Sequence, residues 1–260
     1  MYQIFSPPEH LRHMIRYYWL LDLSTKGQHG VTEYIFAYPY VNWVFTLGSP
    51  YTVKDNQSGL LVIKDTRILG PRTNFAEYLH PEGNLAFGVT FQFGSTRPIF
   101  KEETNILTNK IILQDDILPH YNWLTPFFED VQPAIFINSF NKQIEKFSDE
   151  QDSKGQALWT QFINLIIQGK NFSTSSIKMA KALQISQRHL QRISMQYAGL
   201  SPKQVQSMIR CRLAIKHIQR TRFIPDFFYY GFYDQNHFIK EVKRWSGYTP
   251  KNLLQMLPTS

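Results

Sequence analysis

The sequence is poor in cysteine. Among its 260 residues there is one, Cys211. No intramolecular disulfide can form, and a lone thiol fits a reducing compartment. It sits in an apolar helical stretch, where it suits packing as a small apolar group. No apolar run reaches the ~18 residues that crossing a membrane requires. No charged-then-apolar leader opens the chain, so a cytoplasmic protein with no membrane contact is expected. Gly-x-Ser-x-Gly, phosphate-loop and dinucleotide patterns are missing as well. The eight histidines are scattered. His10 and His13 can share a helix face, whereas His29, His80 and His120 have no neighbour at ligand spacing. A metal needs several donors converging on one point. No catalytic residue, metal or cofactor is therefore expected, and the chain does not read as an enzyme.

Acidic residues are scarce in one half only. Residues 151–260 hold four Asp and Glu against 16 Lys and Arg, a net +12. Residues 1–150 hold 16 against 12, a net −4. A basic segment beside a mildly acidic one is the footprint of a nucleic-acid-binding domain joined to something else. Binding to a membrane surface would call for an amphipathic helix with exposed aromatics. Here the apolar positions are those a globular core needs.

The basic half contains a gapless repeat at an offset of 48 residues. Its first copy runs from Ser186 to Lys203 and its second from Asp234 to Lys251. Five pairs are identical: Gln187/Gln235, His189/His237, Gly199/Gly247, Pro202/Pro250 and Lys203/Lys251. One structural unit is used twice. Each copy opens on a residue suited to capping a helix, Ser186 or Asp234, and each helix ends at a glycine able to adopt a left-handed cap. Leu190, Ile193 and Tyr197 form a buried stripe in the first, and Phe238, Val242 and Trp245 in the second. The outer faces carry Arg188, Gln191, Arg192 and Met195, then Asn236, Ile239, Lys240 and Lys243. A merely solvated face mixes both signs of charge. These lack acids and present the side chains that pair with purine edges or reach phosphate.

Ser176 to Leu183 reads as a short helix, and Gln184-Ile185-Ser186 as the tight turn of a helix-turn-helix. Ser201 and Pro202 then start a helix to Arg222. About 20 residues at ~1.5 Å each make a rod of roughly 30 Å, close to one ~34 Å turn of B-DNA. The rod can hold two recognition helices in successive major grooves.

These residues identify a resemblance. The segment from about 155 to 256 resembles the DNA-binding domain of AraC/XylS-family transcription regulators. It is carried by Ser186 to Arg192, by Gly199-Leu200-Ser201-Pro202-Lys203, by Gly231 to Phe238, and by Val242 to Pro250. The resemblance implies two helix-turn-helix motifs joined by a linker helix. By position, base-reading residues fall on Arg188, Gln191 and Arg192, and on Gln235, Asn236 and Lys240. Phosphate contacts are expected from Ser186, Lys203, Arg210, Arg220, Lys243 and Lys251. His189 and His237 suit phosphate or internal hydrogen bonding better than catalysis. Members that repair alkylated DNA use cysteines for zinc and methyl transfer, which one cysteine excludes. One stretch departs from the pattern. Ile224 to Phe232 is a residue short before the second recognition helix, with Pro225 as its first helical residue and Phe228 where a small Ala is usual. Bulky aromatics there are expected to push the second motif's two helices apart.

The acidic half is strand-rich. His10 to Leu21 has apolar residues at near-helical spacing, but Tyr17 to Leu21 also suits a strand. Candidate strands are Glu33–Tyr38, Val41–Leu47, Tyr51–Lys54, Leu60–Ile63, Arg67–Leu69, Phe75–Leu79 and Leu85–Phe93. Many short strands with turn signals suggest a closed or sandwiched β-barrel. Trp19, Gly70-Pro71-Arg72-Thr73, Phe87 to Gly94, Pro98-Ile99-Phe100 and Asp115-Asp116-Ile117 make this region similar to an uncharacterised sensor domain of some AraC-family regulators, which implies a cupin-like barrel. Asn42, Trp43, Arg72, Thr90 and Gln92 lie on or beside the strands and form a candidate small-molecule pocket. The plainer reading makes Trp43 core and Arg72 an ion partner at the surface or a strand end. Helical content is expected over Ile99–Thr108 and Pro119–Phe147, the latter broken around Pro126 and Pro133 and suited to a dimer contact. Asp149–Lys154 reads as a linker, and Gly155–Ile167 as the first helix beyond it.

The expected fold class is α+β. A cupin-like β-barrel with helices after residue 119 occupies residues 1–150 and senses an effector or mediates dimerisation. An all-α DNA-binding domain occupies residues 151–260. The expected function is a sequence-specific, one-component transcription regulator. Its partners would be double-stranded DNA, a small-molecule effector, a second copy in a homodimer, and RNA polymerase if it activates. The competing readings are a cupin-type enzyme, or a protein-interaction barrel, carrying an accessory DNA-binding domain.

Overall fold

The computed structural model describes residues 1–25, 27, 29–36, 38–55, 59–100, 104–118, 132–147 and 153–256. The sequence expectations for Pro119–Pro126, His120 and Asp149–Asp152 lie outside the described residues.

The described N-terminal residues form two antiparallel sheets. β1 (Tyr2–Phe5), β2 (Ile15–Asp22), β3 (Val31–Ile35), β4 (Asn42–Thr46), β5 (Tyr51–Asp55), β6 (Gly59–Ile63), β7 (Arg67–Leu69), β8 (Ala76–His80) and β9 (Leu85–Phe91) follow in chain order, with β10 (Ile111–Leu113) later. One sheet runs β1-β2-β9-β4-β7-β10 and the other β3-β8-β5-β6. The near-helical spacing of Leu11, Met14 and Ile15 has a local cause. One 3-10 turn at Glu9–Leu11 runs straight into β2. The sequence reading places no strand at β1 or β10.

Strand alternation sorts the larger sheet's side chains into two cores. Val44, Leu69 and Ala86 face the smaller sheet and meet its Tyr51, Val53, Ile63, Ala76 and Tyr78. Trp43, Phe45, Ile68, Phe87, Val89 and Phe91 face the other way. There α1 (Arg97–Phe100), α2 (Thr104–Leu107), α3 (Gln114–Ile117) and α4 (Pro133–Ile144) follow the strands. Phe100, Leu107, Phe136, Phe140 and Ile144 from these helices cover that face. The sheet is thus buried on both sides.

The helical part begins with α5 (Ser153–Ile167) and continues through α6 (Ser176–Ala182), α7 (Gln187–Ala198), α8 (Pro202–Thr221), α9 (Gln235–Ser246) and α10 (Pro250–Met256). Its core contains Trp159, Phe162, Leu190, Tyr197, Met208, Ile215, Phe238 and Trp245. Cys211 is fully buried in α8, and burial pushes its thiol pKa well up. The two parts touch directly. Phe36 joins the helical core, the Trp159 indole N–H donates to the Phe93 carbonyl at 2.7 Å, and the Phe75 and Tyr248 rings meet edge to face at 5.0 Å.

Candidate nucleic-acid interface

Each recognition helix is started and stopped by its own chemistry. Ser186 caps α7 by accepting from the His189 N–H at 3.1 Å, and Asp234 caps α9 by accepting from the His237 N–H at 2.7 Å. Losing such a cap costs roughly 0.5–2 kcal/mol. Gly199 and Gly247 close the helices at φ +66° and +78°, a region where a Cβ is strained. Ahead of α7, Gln184 takes the left-handed conformation (φ +56°) that turns the chain between α6 and α7. The Gln187 amide donates to Ser176 across that turn.

Leu190, Ile193, Tyr197 and Ala198 of α7 are buried, as are Phe238, Val242 and Trp245 of α9. Arg188, Gln191 and Arg192 are exposed and share one shallow surface with Ser186, His189 and Met195. Gln235, Asn236, Lys240, Lys243 and Arg244 are exposed on α9. Between the helices runs α8, 20 residues long. It starts from a capping box in which the Ser201 hydroxyl accepts from the Gln204 N–H and the Gln204 side chain accepts from the Ser201 N–H. Lys203, Arg220 and Lys251 are exposed on α8 and α10.

Arg210 is placed differently from the other expected phosphate contacts. It is 9% exposed. Its guanidinium donates to Glu241 at 2.9 Å and lies 3.3 Å from His237 Nε2. It also covers the Phe232 ring at 4.9 Å. Glu241 accepts from Ser207, which in turn accepts from the Trp245 indole at 2.8 Å. Burial alone would raise the Glu241 carboxyl, but hydrogen bonds from Ser207 and Arg210 outweigh it and hold the pKa below the ordinary value. Arg210 therefore fastens α9 to α8 from inside instead of facing outward. At the repeat offset Glu241 aligns with Ile193, so this polar clamp replaces a core aliphatic of the first motif. His237 is part of the clamp, accepting from the Tyr233 N–H through Nδ1 at 3.1 Å. His189 instead stays beside Arg192 at 3.2 Å on the outer face.

The stretch before α9 corrects a second expectation. In place of a helix starting at Pro225 there is one 3-10 turn, Phe227–Tyr230, capped by Asp226 and closed by Gly231. Its aromatics do not wedge the motif open. Phe227 and Phe232 pack on Phe238, at 6.1 and 5.0 Å between ring centroids. Phe228 points out and is 63% exposed.

The barrel residues separate likewise. Asn42 and Arg72 line one cavity between the sheets, and the Thr90 hydroxyl donates to Asn42 behind it. Trp43 faces the helix-covered core, donating to Gln114 at 3.0 Å. Adjacent strand residues point to opposite faces, so Asn42 and Trp43 cannot line one cavity. Gln92 lies beyond the end of β9 and donates to the Arg12 carbonyl. Arg72 is an ion partner, to Asp55 at the end of β5, but it is buried at 2% exposure and not at the surface. Tyr17, Tyr38, Tyr51 and Tyr78 line the cavity too, and sequence reading missed them. Each comes from a different stretch and carries no spacing signal.

Among the described residues, no group of three or more His, Cys, Asp or Glu stands at metal-binding spacing. Nor is any described helix long and apolar enough to cross a membrane.

Residues 179–256 match the family described as a helix-turn-helix domain. Residues 3–113 match a domain of unknown function (DUF6597). No curated protein matches the chain in sequence. Among solved structures the chain is similar to ToxT from Vibrio cholerae, at 11% identity over 89% of this chain and 99% of that one, with a TM-score of 0.49. It is similar to an apo variant of ToxT at 14% identity over 93% and 98%, with a TM-score of 0.49. ToxT bound to a naphthalenyl butenoic acid matches at 12% identity over 88% and 99%, with a TM-score of 0.47.

Proposed function

We propose that this chain, which joins an AraC-type helix-turn-helix domain to an N-terminal domain of unknown function, is a sequence-specific DNA-binding transcription regulator. The observation that carries the reading is the pair of exposed, acid-free faces on α7 and α9, borne on the two flanks of α8. The one acid within either helix, Glu241, is spent on Arg210. Arg188, Gln191 and Arg192 of α7, with Gln235, Asn236 and Lys240 of α9, read bases. Ser186, Lys203, Arg220, Lys243 and Lys251 hold phosphates.

The boundary falls near residue 150, with the sensor before it and the DNA-binding domain after it. The sheet domain senses a small molecule and is not an enzyme. A cavity between its sheets supports the sensing role, as does its direct packing on the helical part. The reading includes a homodimer formed through the helices after residue 119, where Ile135 on α4 is an exposed apolar residue. It includes a cytoplasmic location, and contact with RNA polymerase if the protein activates.

The test is selection of bound sites from random duplex DNA at fixed salt. Enrichment of one motif supports the reading. Retention of all sequences alike, with the same salt slope, would reduce the protein to a non-specific binder.

A further inference from the structure

The cavity between the sheets is unusual in what it leaves unpaired. Nine buried side-chain polar atoms among the described residues have no hydrogen-bond partner, and four of them belong to cavity-lining residues. They are Arg72 Nε and Nη2, the Tyr51 hydroxyl and His80 Nε2, the last of which faces the Glu33 carboxylate at 3.4 Å. Arg72, Tyr51 and His80 are each at least 94% buried. An unmet buried donor costs about 1–3 kcal/mol, so the three atoms of Arg72 and Tyr51 point to an occupant that meets them.

Much of the remaining wall is aromatic, with Glu33 and Asn42 as its other polar side chains. Tyr17, Trp19, Tyr38 and Tyr78 line it beside Tyr51. Trp19 lies directly on Gly88, where an added Cβ would come within 2.0 Å of its ring. The glycine therefore sets the depth of that wall. Burial pushes the Tyr38, Tyr51 and Tyr78 hydroxyls well above or above their ordinary pKa, so all three are neutral phenols. The cavity measures about 130 Å³. A dry cavity of ~150 Å³ accepts one benzene, so this one limits a ligand to a single small ring.

Charge selects the ligand's polar edge. The Arg72 Nη1 donates to Asp55 at 2.6 Å, and both side chains are 2% exposed or less. The guanidinium charge is thus already matched. A carboxylate ligand would add a negative charge beside Asp55 and the cavity-lining Glu33, a several-kcal/mol penalty. A neutral carbonyl meets the free Nε and Nη2 donors without it.

We infer that this cavity binds a small, flat, neutral ligand, one ring carrying a carbonyl or amide edge, with Arg72 Nε and Nη2 donating to its oxygen and the tyrosines stacking on its faces. The inference rests on the sensing role proposed above and gives that role a ligand class. The wall is also part of the link to DNA. Tyr38 exchanges both backbone hydrogen bonds with Arg72, at 2.9 and 2.7 Å, and its ring carries Arg212 of α8.

Four single-ring probes test it on the full chain by ligand-observed NMR titration: benzamide, 2-pyridone, benzoate and toluene. Benzamide and 2-pyridone should bind, and benzoate and toluene at least about tenfold more weakly. Arg72→Lys keeps a cation opposite Asp55 but loses the two-donor edge. It should weaken benzamide about tenfold, and Tyr51→Phe several-fold, with both variants confirmed folded by thermal melts. Tighter binding of benzoate or toluene would overturn the ligand class. No binding by any probe would make the cavity a water site and overturn the inference. Binding unchanged in Arg72→Lys and Tyr51→Phe would place the ligand elsewhere. Site selection on DNA without probes is run in parallel, so failure here is distinguishable from failure of the regulatory reading.

Discussion

The Arg212 guanidinium on α8 lies 5.1 Å from the centroid of the Tyr38 ring and 5.2 Å from that of Tyr40. The helix that separates the two recognition helices therefore grips the same tyrosine that walls the cavity. A change at the cavity has a short physical route to the spacing of the exposed faces of α7 and α9. A double-mutant cycle with Arg212→Met and Tyr38→Leu should give a coupling of about 0.5–1 kcal/mol in urea unfolding. Additive effects of the two substitutions would mean that the contact transmits nothing.

Arg192 is exposed on α7 within the surface shared with Arg188 and Gln191. Arg192→Ala should cost about 1–3 kcal/mol on the best selected site and relax preference at one base position. Competition binding against single-base variants of that site reads both. Unchanged preference would remove Arg192 from the base-reading set.

Lys243 is exposed on α9, one turn beyond Lys240. As a phosphate contact, Lys243→Ala should weaken all duplexes alike and lower the slope of log affinity against log salt by about one. A loss confined to one sequence would instead make it a base contact.

The Glu241 clamp predicts an acid limb to stability. Its carboxyl sits below the ordinary value of 4.5 in the folded chain, so the unfolded chain takes up the proton first as pH falls. The clamp's contribution is complete above that ordinary value and lost as pH falls through the lower folded value. Glu241→Gln should destabilise the chain by about 1–3 kcal/mol at neutral pH and flatten the loss below pH 4.5, followed by urea melts across pH. An unaltered acid limb would assign it to other carboxylates.

Much of the helical part was legible in the sequence because its signals are local. Ser186, Asp234, Gly199 and Gly247 mark helix ends by their own chemistry, and the 48-residue offset aligned the two units. What escaped depended on contacts distant in sequence. Arg210 reads as one more cation on a basic helix, and only its meeting with Glu241, 31 residues on, turns it inward. Phe228 reads as a wedge until the turn before it shortens. In the sheets, alternation located most strands, but the cavity draws residues from seven strands and the segments between them. Asn42, Trp43 and Arg72 all lie on or beside strands, but adjacent strand residues face opposite ways, which sends Trp43 away from the cavity. The tyrosines of the wall looked like ordinary core because nothing in spacing distinguishes a ring facing a cavity from one facing a neighbour.

The most direct test of the account is footprinting of the best selected site at fixed salt, base by base, with the full chain. Two helix faces on one 20-residue rod predict two protected major-groove segments per protomer, about one helical turn apart. Arg192→Ala should release one of them and Asn236→Ala the other. Protection of a single segment, indifferent to Asn236→Ala, would contradict the claim that both faces read DNA.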